Sequence, residues 1–214
     1  HCATLLGRHH DWLNDLRERA LERFENDGWP NSKAEDWKYT SLDKIADTDY
    51  VLERNPESGI EDEQVKSLMP EGFKGHRLVF VDGCYTESLS QIGALPSGVV
   101  LGSLAAALEH NTDEVESLLM SIADFEGHPL AELNTAFMEQ GLYLFVPGDV
   151  QLLEPVYCLF ISTASAQPRV SYPRLLLAAG EHSRITLIED YYGVEGSVAR
   201  GESAADGLGL EYGL

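Results

Sequence analysis

Apolar residues in "DWLNDLRERALERFENDG" recur at steps of three and four, placing Trp12, Leu13, Leu16, Ala20 and Phe24 on one face. That spacing predicts an amphipathic helix, with Asp11 as its N-cap and Gly28 as its stop. Trp29-Pro30 then forces the chain to extend, and "KAEDWKYTSLDKI" follows as a compact linker or short helix. A second helical stretch, "EDEQVKSLMP", ends at Pro70. Beyond His76 the period shortens. "RLVFVDGCYTESL" reads as two strands joined by Asp82-Gly83, a pair suited to a type I′ turn because both central residues need positive φ. Helical signals return at "LAAALEH" behind Ser103, at "DEVESLLMSIADF" behind Asn111 or Thr112, and at "LAELNTAFMEQ", which runs to Gly141.

From Gly141 the pattern becomes strands: "LYLFVPGDV", "LEPVYCLFIST", "YPRLLLAAG" and "SRITLIEDYYG". Each is apolar and rich in β-branched or aromatic residues, and Gly, Pro or Asp punctuates them with no helix between. Neighbouring strands must therefore stack or pair directly, as in a β-solenoid or the start of a sandwich. The last stretch, from residue 194 to 214, turns to Gly, Ala and Ser and is expected to be weakly ordered. The fold class expected is mixed α and β. Residues 1–140 form an N-terminal, mostly helical domain with a β-hairpin near 77–86, and 141–193 form a strand core.

Composition narrows the partners. Fifteen Lys and Arg against 36 Asp and Glu give a formal charge of -21 over 214 residues. Such a field repels phosphate backbones and anionic lipid surfaces, so neither nucleic acid nor a membrane is an expected partner. The same excess fits a salt-adapted surface. Cys2, Cys84 and Cys158 lie far apart with no C-x-x-C pair, which points away from a zinc knuckle or a disulfide framework and toward a reducing cytoplasm. No apolar run is long enough to span a membrane, and the N-terminus lacks the order of a secretory signal.

Candidate chemistry is sparse. His1, His9, His10, His76, His110, His128 and His182 show no second ligand at local metal-site spacing, so they read as surface or capping residues and no metal site is expected. His182, beside Glu181 on a turn between two strands, is the one best placed to meet a partner. Phosphate loops and a Gly-x-Ser-x-Gly elbow are absent. The carboxylate pairs Glu189-Asp190 and Glu35-Asp36 are of a kind that 36 acidic residues produce by chance. Cys158, within "PVYCLFI", reads as a small buried hydrophobe; Cys84, just past the turn, is more exposed with no base nearby. No catalytic residue is assigned, and three scattered thiols supply no closed site for an iron-sulfur cluster.

"EDWKYTSL" at Glu35 to Leu42, after an amphipathic helix and a Gly-aromatic-Pro corner, resembles the SufD family of iron-sulfur cluster assembly proteins. The same family is resembled, in order, by "RLVFVDG" (Arg77 to Gly83), "LPSGVVLGSLAAAL" (Leu95 to Leu108), "LNTAFMEQGLYLFVPGDVQLLEPVYCLFIST" (Leu133 to Thr163) and "PRLLLAAGEHSRITLIEDYYG" (Pro173 to Gly193). The resemblance implies an N-terminal helical domain followed by the start of a right-handed parallel β-helix. It implies a non-enzymatic scaffold that meets SufB and the ATPase SufC in a SufBCD complex, where clusters form transiently. The family's C-terminal helical domain and its proposed histidine have no counterpart here, so the chain reads as truncated and inherits no site residue. Within the resemblance, Trp37 and Tyr39 are expected to anchor the first helix by packing, with Glu35, Asp36 and Lys38 kept wet or paired; contact with a partner is the alternative role for the stretch. Repeated strands also raise two alternatives: a carbohydrate-active β-solenoid enzyme, and a nonfunctional remnant. An uncovered last strand makes a further expectation: either self-association through the Gly141 to Gly193 strands, or a mobile strand region beside an ordered N-terminal helical part.

Overall fold

The structure, a computed structural model, describes residues 5–30, 35–52, 59–122 and 127–194. His1, Cys2 and the tail expected to be weakly ordered, apart from Val194, lie outside the described residues. In chain order the elements are α1 (Asp11–Asp27), a 3₁₀ turn (Glu35–Trp37), α2 (Asp43–Ala46), β1 (Val51–Leu52), α3 (Asp62–Leu68), β2 (His76–Val81) and β3 (Cys84–Tyr85). After a 3₁₀ turn at Glu87–Leu89 come β4 (Val100–Ser103), α4 (Leu104–His110), α5 (Thr112–Ile122), α6 (Pro129–Phe137), β5 (Gly141–Val146), β6 (Val156–Thr163), β7 (Arg169–Val170), β8 (Arg174–Ala179) and β9 (Leu187–Val194). The chain is thus mixed α and β.

Helix α1 forms where its periodicity places it, but Asp11 lies inside the first turn and His10 takes the cap position without a capping side chain. Gly28 ends it at φ 71°, a conformation that favours glycine. The buried face also carries Arg17, one turn after Leu13. Its guanidinium donates to the carbonyls of Leu6 (2.8 Å) and Met138 (2.6 Å), the latter at the C-terminal end of α6. A cation there satisfies a carbonyl that the helix cannot and complements its dipole, so Arg17 fastens α1 to α6. Ser103 caps α4 as expected, its Oγ accepting from the Ala106 N–H at 3.1 Å. Helix α6 stops at Phe137, short of the expected Gly141, because Met138 is already extended.

The strands form a four-stranded sheet in the order β3-β2-β6-β9, a three-stranded sheet β4-β5-β8, and a two-stranded β1-β7. The expected hairpin is present: β2 and β3 are antiparallel, with Asp82 at φ 47° and Gly83 at φ 84°. From β5 onward, strands consecutive in the chain do not pair with each other, so of the two expected arrangements, stacking or direct pairing, direct pairing is not found there. Instead β6 runs parallel to β2 and β9 parallel to β6, while β8 runs parallel to β5. The turn after β5, with Asp149 at φ 58°, directs the chain out of one sheet and into the other. Three ladders, β1-β7, β2-β6 and β4-β5, cross the expected boundary at residue 140.

Four layers result. Leu78, Phe80, Cys158 and Phe160 of the larger sheet meet Leu101, Leu142, Leu144 and Val146 of the smaller one in a shared core. The outer face of the smaller sheet, through Tyr143 and Leu176, packs on Leu13 and Leu16 of α1, Leu104 and Leu108 of α4, and Val115 of α5. On the far side, Val65 of α3 covers Val79, Val81, Tyr157, Leu159 and Ile161. Strand β6 is therefore buried on both faces, which explains why "VYCLFI" shows no alternation.

Candidate functional site

Both larger sheets have an uncovered edge among the described residues: β8 ends one and β9 the other. Each is a parallel strand laid down after an internal one, so backbone N–H and C=O groups face outward along both. Side chains that would line a continuing core are open at the same end. Leu177 is 45% exposed and Tyr191 61% exposed, although their neighbours one strand inward, Leu144 and Phe160, are buried. Tyr191 is the last ring of a stack that follows the strand register: Phe80 on Phe160 at 4.9 Å and 15°, then Phe160 on Tyr191 at 4.8 Å and 11°. An aromatic face is thus offered to whatever adds next.

The turns that lead to this edge are stacked as closely as the strands. A Cβ on Gly180 would lie 2.3 Å from the Gly148 nitrogen, and the Asp149 N–H donates to the Glu181 carbonyl at 2.9 Å. This corner carries His182, at φ 59°, with Nδ1 3.4 Å from Asp149 Oδ1; both side chains are largely exposed. His182 is therefore displayed on the outside of the corner, as the sequence placed it.

Glu189 and Asp190 are separated by the pleat. Glu189, in register with Cys158, accepts from the Tyr191 hydroxyl at 3.0 Å, whereas Asp190 accepts from Tyr157 (2.6 Å) and Tyr192 (3.3 Å). Two carboxylates on opposite faces cannot share one substrate atom. Burial, then the Glu189 carboxylate, pushes the Cys158 thiol up to about 12. Burial and the bond to Asp190 push the Tyr157 phenol up as well. Cys158 is thus a buried thiol held in its protonated form. Neither it nor half-buried Cys84 is in a disulfide.

Among the described residues no group of three or more His, Cys, Asp or Glu side chains could hold a metal ion. The sequence reads the histidines as surface or capping residues, but not all of them are superficial. His76 is fully buried, its Nδ1 accepting from the Gly93 N–H at 3.2 Å and its Nε2 3.8 Å from Glu154. Its position at the start of an internal strand, under the "QIGALP" segment, is set by a ladder distant in sequence. His10 Nε2 lies 3.1 Å from the Leu108 carbonyl, and His9 3.7 Å from Glu109. In the "EDWKYT" stretch, Glu35 and Asp36 are exposed and Trp37 is half-buried. Tyr39 is 90% exposed, so it does not anchor α1 by packing as expected. Its ring instead has Lys38 Nζ 5.4 Å from its centroid.

Sequence reasoning missed a polar cluster at the hairpin turn. Asp82, whose side chain is 4% exposed, accepts from the Thr163 N–H (2.7 Å), the Thr163 hydroxyl (2.5 Å) and Arg169 (2.9 Å). The carboxylate joins the β2-β3 turn to the end of β6 and to β7, which in turn pairs with β1. The signal available was Asp rather than Asn before Gly83; its partners lie more than eighty residues away.

Residues 2–158 match the family model for the SufBD protein N-terminal region. The chain belongs to the SufBD family. It is 25% identical over 189 residues to an iron-sulfur cluster assembly SufBD family protein of Synechocystis, an alignment that covers 88% of this chain and 41% of that protein. To the iron-sulfur cluster assembly protein SufD of Bacillus subtilis it is 28% identical over 189 residues, covering 84% of this chain and 41% of that protein. The chain therefore spans less than half the length of these SufBD relatives, which accords with the resemblance carried by "EDWKYTSL" and the later segments. No helix among the described residues is long and apolar enough to cross a membrane.

Proposed function

We propose that this chain is the N-terminal part of a SufD-type scaffold for iron-sulfur cluster assembly, acting in the cytoplasm through protein contacts and not by turning over a substrate. The observation that carries the reading is the family match over residues 2–158 together with two relatives named for cluster assembly. In this reading β5 to β9 begin a right-handed parallel β-helix. Its support is the register in which β8 adds to β5 and β9 to β6, the stacked Gly148 and Gly180 corners, and the strong handedness preference of parallel crossovers. The open β8 and β9 edges then receive the next coil or a partner strand, and α1 with α4 and α5 braces the first coil from outside.

SufB and SufC are the partners in this proposal, and clusters are cargo built by the complex and not held by this chain. Co-expression of the full open reading frame with the SufB and SufC of the same genome, followed by size-exclusion chromatography, tests it. A co-eluting complex that assembles a cluster from iron and sulfide is expected. Three proteins that elute separately, or a cluster that survives desalting on this chain alone, would overturn the reading.

A further inference from the structure

The "EDWKYT" stretch is not explained by core packing, and the surface around it has a chemistry of its own. Where α1 ends, Gly28 turns the chain into Trp29 and Pro30; Asp36 and Trp37 lie on the 3₁₀ turn, and His128 and Pro129 at the start of α6. Together they border an open groove of about 540 Å³. Trp29 is held edge-on to Phe24, with ring centroids 5.4 Å apart at 87°, which fixes one indole wall. Trp37 is half-buried, while Asp27 and Asp36 are exposed. Neither Lys nor Arg lines the groove among the described residues.

We propose that this groove docks an arginine-bearing basic segment of another protein. An indole face attracts a cation through its quadrupole, and a guanidinium, weakly hydrated and planar, stacks on it more readily than an ammonium. Two carboxylates at the groove supply charge-assisted hydrogen bonds to the same group. The chain's charge of -21 steers such a segment inward and turns away anionic lipid or nucleic acid. The proposal stands apart from the scaffold reading: it needs only the groove, whichever complex the chain joins.

The chain's three tryptophans provide the test. Trp12, packed with the α1 core and with its indole N–H buried, is an internal reference for Trp29 and Trp37. The probe is an acetylated, amidated hexapeptide of alternating arginine and alanine, titrated into ¹⁵N-labelled full chain in about 0.15 M salt, where long-range surface attraction is largely screened. The Trp29 and Trp37 indole signals are expected to shift saturably while Trp12 stays in place. The lysine analogue should bind about fivefold more weakly. Trp37→Leu, which leaves every charge in place, should weaken binding about fivefold or more. If that variant does not fold, the exposed pair Asp27→Asn/Asp36→Asn should produce a similar loss. Equal shifts at all three indoles, absence of binding to the wild-type chain, or unchanged affinity in folded variants would each overturn the proposal.

Discussion

Asp82 gives the sharpest test of how the sheets are held together. Its carboxylate accepts three hydrogen bonds, two from Thr163 and one from Arg169, while its backbone sits at φ 47°. Asp82→Gly keeps the turn, since glycine adopts that φ without cost, but removes all three bonds. Asp82→Asn keeps the turn and one acceptor oxygen but removes the charge. Hydrogen bonds to a charged group contribute about 1.5–3 kcal/mol each when lost, but the three share one carboxylate and are not additive. Arg169 is 29% exposed, so water recovers part of its loss. The expected costs are about 2 kcal/mol for Asp82→Asn and about 3 kcal/mol for Asp82→Gly. Asp82→Ala should cost about 1 kcal/mol more than Gly, because a Cβ is strained at that φ. Urea unfolding followed by far-UV circular dichroism reads these values. With a slope of about 2–3 kcal/mol per molar, the midpoint should fall by roughly 1 M for Asp82→Gly. If Asp82→Gly matches the wild type while Asp82→Ala is impaired, the residue serves only the turn, and the cross-sheet role assigned to it is wrong.

Three further outcomes follow from other parts of the fold. Cys158 ionises near 9 when unfolded and near 12 when folded, so the native state binds its proton more tightly. Its contribution is complete below pH 9 and declines as pH rises toward 12, by at most about 1.4 kcal/mol per pH unit; Cys158→Ala should flatten that part of the stability profile in urea titrations. Gly180→Ala should cost about 3 kcal/mol or more because its Cβ would meet the Gly148 backbone, whereas Gly28→Ala, with nothing within 4 Å, should cost only the positive-φ strain of about 1 kcal/mol; equal thermal midpoints would contradict the stacked corner. Removing the inward-facing charge with Glu189→Gln should strengthen self-association through the β9 edge, and the wild type should associate more as salt rises, by light scattering. Identical, salt-independent behaviour of the two would refute that edge.

The parts of the fold that were legible depend on neighbours in sequence. Helix α1 announces itself because side chains three and four apart share a face, and the β2-β3 turn because Asp82-Gly83 tolerates two positive φ values in succession. Strand β4 was missed: four residues, one of them Gly102, sit against a strong helix signal, and the ladder that makes them a strand is with β5, beyond three helices. The parallel pairing of β2 with β6 was equally hidden, since α3 covers the outer face and erases any alternation. Arg17 and His76 defeated composition-based expectation for a related reason. A charged or polar side chain is buried when distant groups, here the Leu6 and Met138 carbonyls and the Gly93 N–H, meet its polar atoms. Tyr39 failed in the opposite direction, an aromatic left outside.

Pairing of two copies along the β9 edge carries a charge penalty that a strand of different sequence need not meet. Two copies meeting along β9 bring together Glu189 and Asp190 from each, on molecules that each carry a formal charge of -21. Like charges facing one another across a strand pair are destabilising, and an inward-pointing charge is one device by which sheet edges avoid pairing with themselves. A strand that places a cation or hydrogen-bond donor opposite Glu189 and an apolar ring on Tyr191 meets no such penalty. It gains the exposed ring of the Phe80-Phe160-Tyr191 stack and the open side of Leu177 together. For any strand added along β9, complementarity at Glu189 and stacking on Tyr191 are thus the two favourable terms, the first electrostatic and the second apolar.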